Sequence, residues 1–224
     1  MRRGAWRLGA ALAAVLGTVA CAPQPTPDGP GPSVQVVDQG TVLVGGWLSD
    51  GDAALEAVLP TAGPASADRG QAARYRLRGL GDDGRPLFEL RFGEESLAAV
   101  PGQPVQRFLF PVSAGSAGAS GLAALELDAG DGLVVTRAAT VSAADLLAAL
   151  TGGEAVRIAA MPGERVRVRW DVGPIVVLRL RDPATGSVLA LDRDGEVIVA
   201  APGGTLEVAI SDGVRSAAGV FELP

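Results

Sequence analysis

Alternation of apolar and polar residues with a period of two is the feature that most constrains the fold of this chain. From Val34 onward, short alternating runs are separated by turn residues about every 8 to 12 positions. The run from Arg165 to Trp170 shows the pattern clearly, because valines at 166 and 168 alternate with arginines at 165, 167 and 169. Strands that bury one face have this period, and closely spaced short strands are typical of β-sandwiches. The sequence therefore predicts an all-β fold.

One segment breaks the alternation and separates two blocks of strands. Ser142 is followed three residues later by Asp145, which approximates a helix capping box, and Gly152 is placed to end the helix. We therefore expect a short helical linker at 141–153, between a first β-sandwich domain at 34–140 and a second at 154–224.

Strand and turn motifs in both blocks resemble accessory modules of secreted bacterial proteases. The first block carries the hairpin ARYRLRGLGDDGRPLFELRF, then RFLFPV and ALELDAGDGLVVTRAA. The second carries VRVRW at its start and VAISDG near its end. The resemblance implies an immunoglobulin-like module followed by a fibronectin-III-like module. It implies the fold alone, because the sequence shows no protease domain and has no His for a His-Glu-x-x-His zinc motif.

Missing residue types exclude most catalytic chemistry. The chain has no His, no Lys and no Asn, and it has a single Cys. Acid–base catalysis by His, metal clusters of His or Cys, lysine Schiff bases and disulfides within the chain are therefore excluded. We expect no enzyme, no catalytic residues and no cofactor. A buried pair of carboxylates in a cleft is the observation that would change this expectation.

Acidic turn segments are candidates for a cation site. The segment 192–196 reads Asp-Arg-Asp-Gly-Glu, but an EF-hand loop needs its Gly at the sixth position and a Glu at the twelfth, and here Gly stands fourth. Asp-Gly pairs favour tight turns, so we interpret this segment, and those at 50–52 and 128–131, as hairpin turns. Calcium binding at these turns is the alternative. We expect no metal site.

The N-terminal residues have the pattern of an export signal followed by a tether. Arginines at 2, 3 and 7 precede an uncharged run at 8–20, which is too short to span a membrane. The next residues, Thr18-Val19-Ala20-Cys21, resemble the lipobox of bacterial lipoproteins, although Leu is usual at the position of Thr18. The resemblance implies a signal peptide at 1–20 and lipid attachment at Cys21. The alternative is an ordinary cleaved signal in which Cys21 has no role.

A proline-rich linker follows the cysteine. Five prolines within 21–33 predict an extended spacer of about 35 Å.

The formal net charge is −6, and loss of the three signal arginines would take it to −9. Such an acidic exported chain is a poor nucleic-acid binder, and we expect none. We expect attachment to the cell membrane or outer membrane through the N-terminal lipid, facing the periplasm or the exterior, and an envelope protein or polysaccharide as partner.

Arginine stripes are the most unusual surface feature of the second block. Five arginines fall on outward phases of strands that we expect to be neighbours: Arg165, Arg167, Arg169, Arg179 and Arg181. One interpretation is a cationic sheet face that contacts an anionic envelope polymer or lipid headgroup through its guanidinium groups. The other is cross-strand ion pairing with Glu164, Glu196 and Glu207.

Two functions from different classes remain. The first is a non-catalytic, lipid-anchored protein of the cell envelope that displays its β-sandwiches for interaction with protein or polymer, in a structural or adhesive role. The alternative is an extracytoplasmic binding subunit for a soluble carbohydrate or peptide. Exposure of Trp47 or Trp170 in a cleft would favour the alternative, because sugar-binding clefts use aromatic platforms.

Overall fold

Strands make up most of the described chain, which comprises residues 34–37, 40–66, 73–115, 118–201 and 203–223 of a computed structural model. The strands before the helix are β1 (Val34–Val36), β2 (Thr41–Ser49), β3 (Asp52–Leu55), β4 (Leu59–Pro60), β5 (Tyr75–Leu80), β6 (Pro86–Phe92), β7 (Ala98–Ala99), β8 (Gln106–Ser113), β9 (Ala124–Asp128) and β10 (Val134–Ala138). The helix α1 (Ala143–Thr151) is followed by β11 (Val156–Met161), β12 (Arg165–Trp170), β13 (Val177–Arg181), β14 (Val188–Asp192), β15 (Glu196–Ala200), β16 (Thr205–Ser211) and β17 (Ser216–Glu222). The prediction of an all-β fold with one short helix between two blocks is confirmed.

The strands from β2 to β10 form a first sandwich of two antiparallel sheets. One sheet has the order β3-β2-β8-β7, with β4 also beside β2, and the other has the order β10-β9-β5-β6. Aromatic rings from both sheets meet in the core. The ring centroid of Phe92 lies 4.8 Å from that of Phe110 and 5.3 Å from those of Tyr75 and Phe108. Tilted rings at these separations combine large buried apolar area with favourable ring geometry.

The strands from β11 to β17 form a second sandwich, and β1 joins it. One sheet has the order β1-β17-β16-β13-β14 and the other has the order β11-β12-β15. Val166 and Val168 of β12 pack in the same core as Leu178 and Leu180 of β13. The described residues cluster as one compact unit, and β1, from the first block of the sequence, pairs with the last strand. The limits of two separate domains therefore stay a prediction.

The helix begins where the sequence predicts. The Ser142 side chain accepts a hydrogen bond from the backbone N–H of Asp145 at 3.1 Å, which satisfies one of the unpaired donors of the first turn. Leu146 and Leu150, four residues apart on one helix face, are fully buried in the core of the second sandwich. Gly153, rather than Gly152, takes the left-handed conformation after the helix, with φ +69°.

Two of the three acidic turns are hairpin turns as predicted. Gly51 turns β2 into β3 at φ +81°, and the segment at 128–131 joins the paired strands β9 and β10. The third segment is a tight turn, in which Asp192 Oδ1 accepts from the Asp194 N–H at 2.7 Å and Gly195 has φ +88°. Its prediction as a hairpin is wrong, because β14 pairs with β13 and β15 pairs with β12, so the chain crosses from one sheet to the other.

The turn of the β16–β17 hairpin is inserted into the first sandwich. Every residue from 206 to 216 is buried, and Val214 is fully buried in the aromatic core of the first sandwich. Asp212 Oδ2 accepts from the N–H groups of Thr140 and Val141, just before α1, at 2.8 and 2.9 Å. Its Oδ1 accepts from the N–H groups of Val214 and Arg215, both at 2.8 Å. We call residues 211–216 the hairpin tip; it joins the two sandwiches through apolar packing and a carboxylate with four donors.

Two further contacts join the sandwiches near β16 and β17. Arg215 of the hairpin tip donates to the carbonyl of Val141 at 2.8 Å and to that of Ser120 at 3.2 Å, and it forms an ion pair with Asp82. A separate apolar cluster packs Leu59 of β4 against Val177, Ala209 and Ala218 of the second sandwich. The outer face of the five-stranded sheet is therefore partly covered by the first sandwich.

Candidate functional site

The structure separates the predicted site residues into three groups. The proposed lipid attachment residue Cys21, with the signal and linker at 1–33, lies outside the described residues. Arg165, Arg167 and Arg169 lie on β12, and the other two arginines lie on β13. The expectation that these two strands are neighbours is wrong, because β12 pairs with β11 and β15 while β13 lies between β14 and β16 in the opposite sheet.

Arg179 and Arg181 belong to the joint between the sandwiches and not to an open surface. Arg179 is buried and donates to Glu207 Oε1 at 3.0 Å and to the carbonyl of Pro60 at 2.6 Å. Arg181 donates to Glu207 Oε2 at 2.5 and 3.0 Å. Burial lowers the pKa of the Arg179 guanidinium, and the nearby Glu207 carboxylate opposes this shift. The outward phase predicted for both residues is correct, but the first sandwich covers that face.

The three arginines of β12 remain on the outer face of the three-stranded sheet. Val166 and Val168 point into the core, so the residues between them face outward. Cross-strand register places Arg157 of β11 opposite Arg169, and Glu196 of β15 on its other side. The outward residues of this sheet form what we call the arginine face: Arg157, Ala159, Met161, Arg165, Arg167, Arg169, Glu196, Ile198 and Ala200.

Arg157 was not predicted as a site residue. It stands in Val156–Met161, a run whose polar and apolar residues do not alternate beyond Ile158, so periodicity alone singles out no cationic stripe there. The available signal was its position in a strand next to an arginine-rich strand in the sequence. Its exposed side chain donates from Nε to the carbonyl of Glu154 at 3.1 Å.

The arginine face carries more positively charged side chains than carboxylates. Glu196 is its one acidic residue: Arg169 forms an ion pair with it, and the Nε of Arg167 lies 3.5 Å from its Oε1. Arg165 makes no side-chain hydrogen bond or ion pair with the described part of the chain. Two of the three predicted ion-pair partners, Glu196 and Glu207, do pair with arginines. Four guanidinium groups against one carboxylate leave this face cationic in an acidic protein.

A cleft of about 700 Å³ adjoins one end of the arginine face. Arg157, Arg169 and Trp170 contribute to its walls, together with four acidic residues: Glu154, Asp171, Asp194 and Glu196. Trp170 is only 6% exposed, so its ring is part of the core and offers no open platform for stacking. Its indole N–H is buried and has no hydrogen-bond partner in the described residues. Trp47 of β2 is half-buried, opposite Arg107 of β8.

The buried carboxylates have structural partners. Among the described residues, the buried acidic side chains are Glu207 and Asp212. The first is held by two arginines and the second by four backbone N–H groups. Within 34–37, 40–66, 73–115, 118–201 and 203–223, no group of three or more His, Cys, Asp or Glu residues is placed to hold a metal ion. No helix in the described part of the chain is both long enough and apolar enough to cross a membrane.

Comparisons with known proteins add no assignment. No family model matches the chain, and a search of curated proteins finds no match. The candidate site therefore stands on its geometry: an open sheet face with four arginines, one shared glutamate and an adjoining cleft.

Proposed function

We propose that this protein is a non-catalytic, lipid-anchored component of the bacterial cell envelope that displays two joined β-sandwiches for interaction with protein or polymer. The signal-like run, the lipobox-like cysteine and the proline-rich segment support attachment and standoff from a membrane. Two lipid chains on one cysteine make such attachment stable, whereas a single chain is marginal. The resemblance to accessory modules of secreted proteases supports a role in interaction and not in catalysis.

The pairing of β1 with β17 is the observation that carries this proposal. β1 directly follows the proline-rich segment, and its Val34 lies opposite Phe221 in an antiparallel ladder. Val37 extends this ladder by donating its N–H to the carbonyl of Ala218 at 2.9 Å. The chain that leaves the linker is thereby fastened to the edge of the second sandwich. The hairpin tip joins that sandwich to the first, so force on the tether reaches a single folded body.

The state of Cys21 in the mature protein tests the proposal. The full chain is expressed in a bacterial host, and the N-terminal peptide of the product is analysed by mass spectrometry. We expect a diacylglyceryl-modified Cys21 as the first residue. Cys21→Ser removes the lipid and releases the protein from the membrane fraction, while Thr18→Leu, which completes the lipobox, raises the processed fraction. An unmodified Cys21, or a first residue elsewhere in the chain, refutes anchoring.

One observation favours the alternative, a binding subunit for a soluble ligand. The indole N–H of Trp170 is a buried donor without a partner beside a cleft of about 700 Å³. An unpaired buried donor costs on the order of 1–3 kcal/mol, and a ligand oxygen that reached it would offset that cost. Titration of the protein with neutral and acidic oligosaccharides, followed by Trp170 fluorescence in a Trp6→Phe, Trp47→Phe chain, tests this alternative. Saturable quenching supports it, and an unchanged spectrum across the series counts against it.

A further inference from the structure

We infer that the arginine face binds a linear anionic polymer whose phosphate or carboxylate groups recur along the chain. This inference deepens the proposed function and rests on it for the location of the polymer in the cell envelope. The protein carries a formal net charge of −6, yet this face presents four arginines and one glutamate. Such a local reversal of charge attracts an anionic partner that the rest of the surface repels.

The arrangement of the arginines favours a linear partner. Arg165, Arg167 and Arg169 are two residues apart on one strand, so their side chains leave the same face about 6.7 Å from each other. Arg157 stands opposite Arg169 and widens the row at the end that meets the cleft. A single line of cations matches anionic groups that repeat along a chain, and a guanidinium binds phosphate or carboxylate with two parallel hydrogen bonds.

The donors on this face are only partly used within the protein. Arg167 and Arg169 share the two oxygens of Glu196, and both side chains stay at least one-third exposed, at 37% and 57%. Arg157 has a backbone carbonyl as its partner, and Arg165 has no partner among the described residues. By contrast, four arginines of the first sandwich pair with carboxylates: Arg74 with Glu94 and Asp131, Arg76 with Asp128, Arg78 with Glu126, and Arg107 with Glu56.

The apolar residues of the face favour a polymer over a lipid bilayer. Surfaces that insert into a bilayer combine basic residues with Trp, Phe or Leu on the inserted side. The outward positions between these arginines hold Ala159, Met161, Ile198 and Ala200, of which Ile198 is exposed at 42%. No aromatic side chain lies among the outward residues of this described sheet. The face is therefore suited to lie along a polymer and poorly suited to enter a membrane.

Binding of defined polymers by the full chain tests the inference. The Cys21→Ser chain, which carries no lipid and is kept free of detergent, is titrated at low ionic strength with poly(glycerol phosphate), polygalacturonate, neutral dextran, and phosphatidylglycerol vesicles. We expect binding to one or both of the anionic polymers, weakened by added salt because exposed charges are screened, and no binding to dextran. The two polymers distinguish phosphate from carboxylate recognition. Binding to vesicles without binding to either polymer overturns the inference in favour of a membrane surface.

Two variants with the same net charge distinguish binding by the arginine face from a general effect of the protein's net charge. Replacing Arg157, Arg165, Arg167 and Arg169 by Gln should weaken binding about 30-fold, from four exposed contacts of ordinary strength. The matched control replaces Arg74, Arg76, Arg78 and Arg107 by Gln and should retain most of the affinity. Equal losses in both variants, or no loss in the first, overturn the inference.

A single substitution distinguishes a loss of binding from a loss of folding. Arg165→Gln removes a side chain without hydrogen bonds to the described residues, so the unfolding temperature should not change and polymer affinity should fall about twofold. The Cys21→Ser chain should bind the polymers as the unaltered protein does. If Cys21 proves unmodified while the face binds polymer, anchoring fails and this inference stands; if lipid is found but neither polymer binds, this inference fails alone.

Discussion

Asp212→Asn tests whether the hairpin tip locks the two sandwiches together. The Asp212 carboxylate accepts four backbone N–H groups at 2.8–2.9 Å, two from the chain before α1 and two from its own turn. An asparagine has one acceptor oxygen, so two of these donors must face an NH₂ group, whichever way the amide is turned. Hydrogen bonds to a charged group contribute about 1.5–3 kcal/mol each, which puts the loss of two at about 3–6 kcal/mol. This is a large fraction of the stability of a typical domain.

Two tryptophans report on the two sandwiches separately. Trp47 lies on β2 of the first and Trp170 on β12 of the second. Urea unfolding is followed by fluorescence in chains from residue 31 that retain one of the two, and Asp212→Asn is compared within each background. We expect both midpoints to fall by about 1–2 M with an unchanged slope. Both reporters should move together, because Val214 still packs in the first core.

Asp192→Asn is the matched control for this prediction. Asp192 also accepts a backbone N–H with its side chain, at 2.7 Å, but in an exposed turn. Its replacement should change stability by less than about 0.5 kcal/mol. The role assigned to the hairpin tip is refuted if Asp212→Asn behaves like this control, or if only the Trp170 midpoint shifts while that of Trp47 stays in place.

Three other substitutions test separate parts of the structure. Val214→Ala removes two buried methyl groups and should cost about 2 kcal/mol, seen as a lower urea midpoint for the first-sandwich reporter; an unchanged midpoint would mean that Val214 is not packed there. Glu207→Gln leaves two arginines without their carboxylate and should lower the free energy of unfolding by about 3–5 kcal/mol, measured by thermal unfolding. The control Glu56→Gln breaks an exposed ion pair and should cost less than about 1 kcal/mol. Equal costs contradict the burial of the Glu207 ion pairs. The pKa of Asp182 lies below its ordinary value because the Thr185 hydroxyl and then a backbone N–H donate to it, so its contribution to stability is present at neutral pH and is lost as the pH falls through the lowered pKa. Thr185→Ala should raise the pKa of Asp182 in an NMR titration of the carboxyl carbons, and an unmoved pKa argues against that hydrogen bond.

Local patterns predicted the parts of the fold that neighbouring residues control. The alternation at 165–170 correctly indicates a strand and which side chains face inward, since consecutive side chains of a strand must point to opposite faces. Ser142 and Asp145 correctly place the start of α1, because the cap acts within a single turn. At Asp192-Gly195 the sequence predicts a turn but not its sheet partners, because β14 and β15 find their partners in distant segments.

The sequence by itself determined an all-β chain, its short helix, and the two stripes of arginines on outward strand phases. Only the tertiary structure decided that one stripe is covered by protein while the other stays on an open sheet face. Arg179 and Arg181 share the alternation of Arg165, but the first sandwich covers their sheet and Glu207 binds both. Cross-strand register also brought Arg157 beside Arg169. A strand's own residues specify which side chains face away from its core, whereas the pairing and docking of remote segments decide whether that side meets protein or solvent.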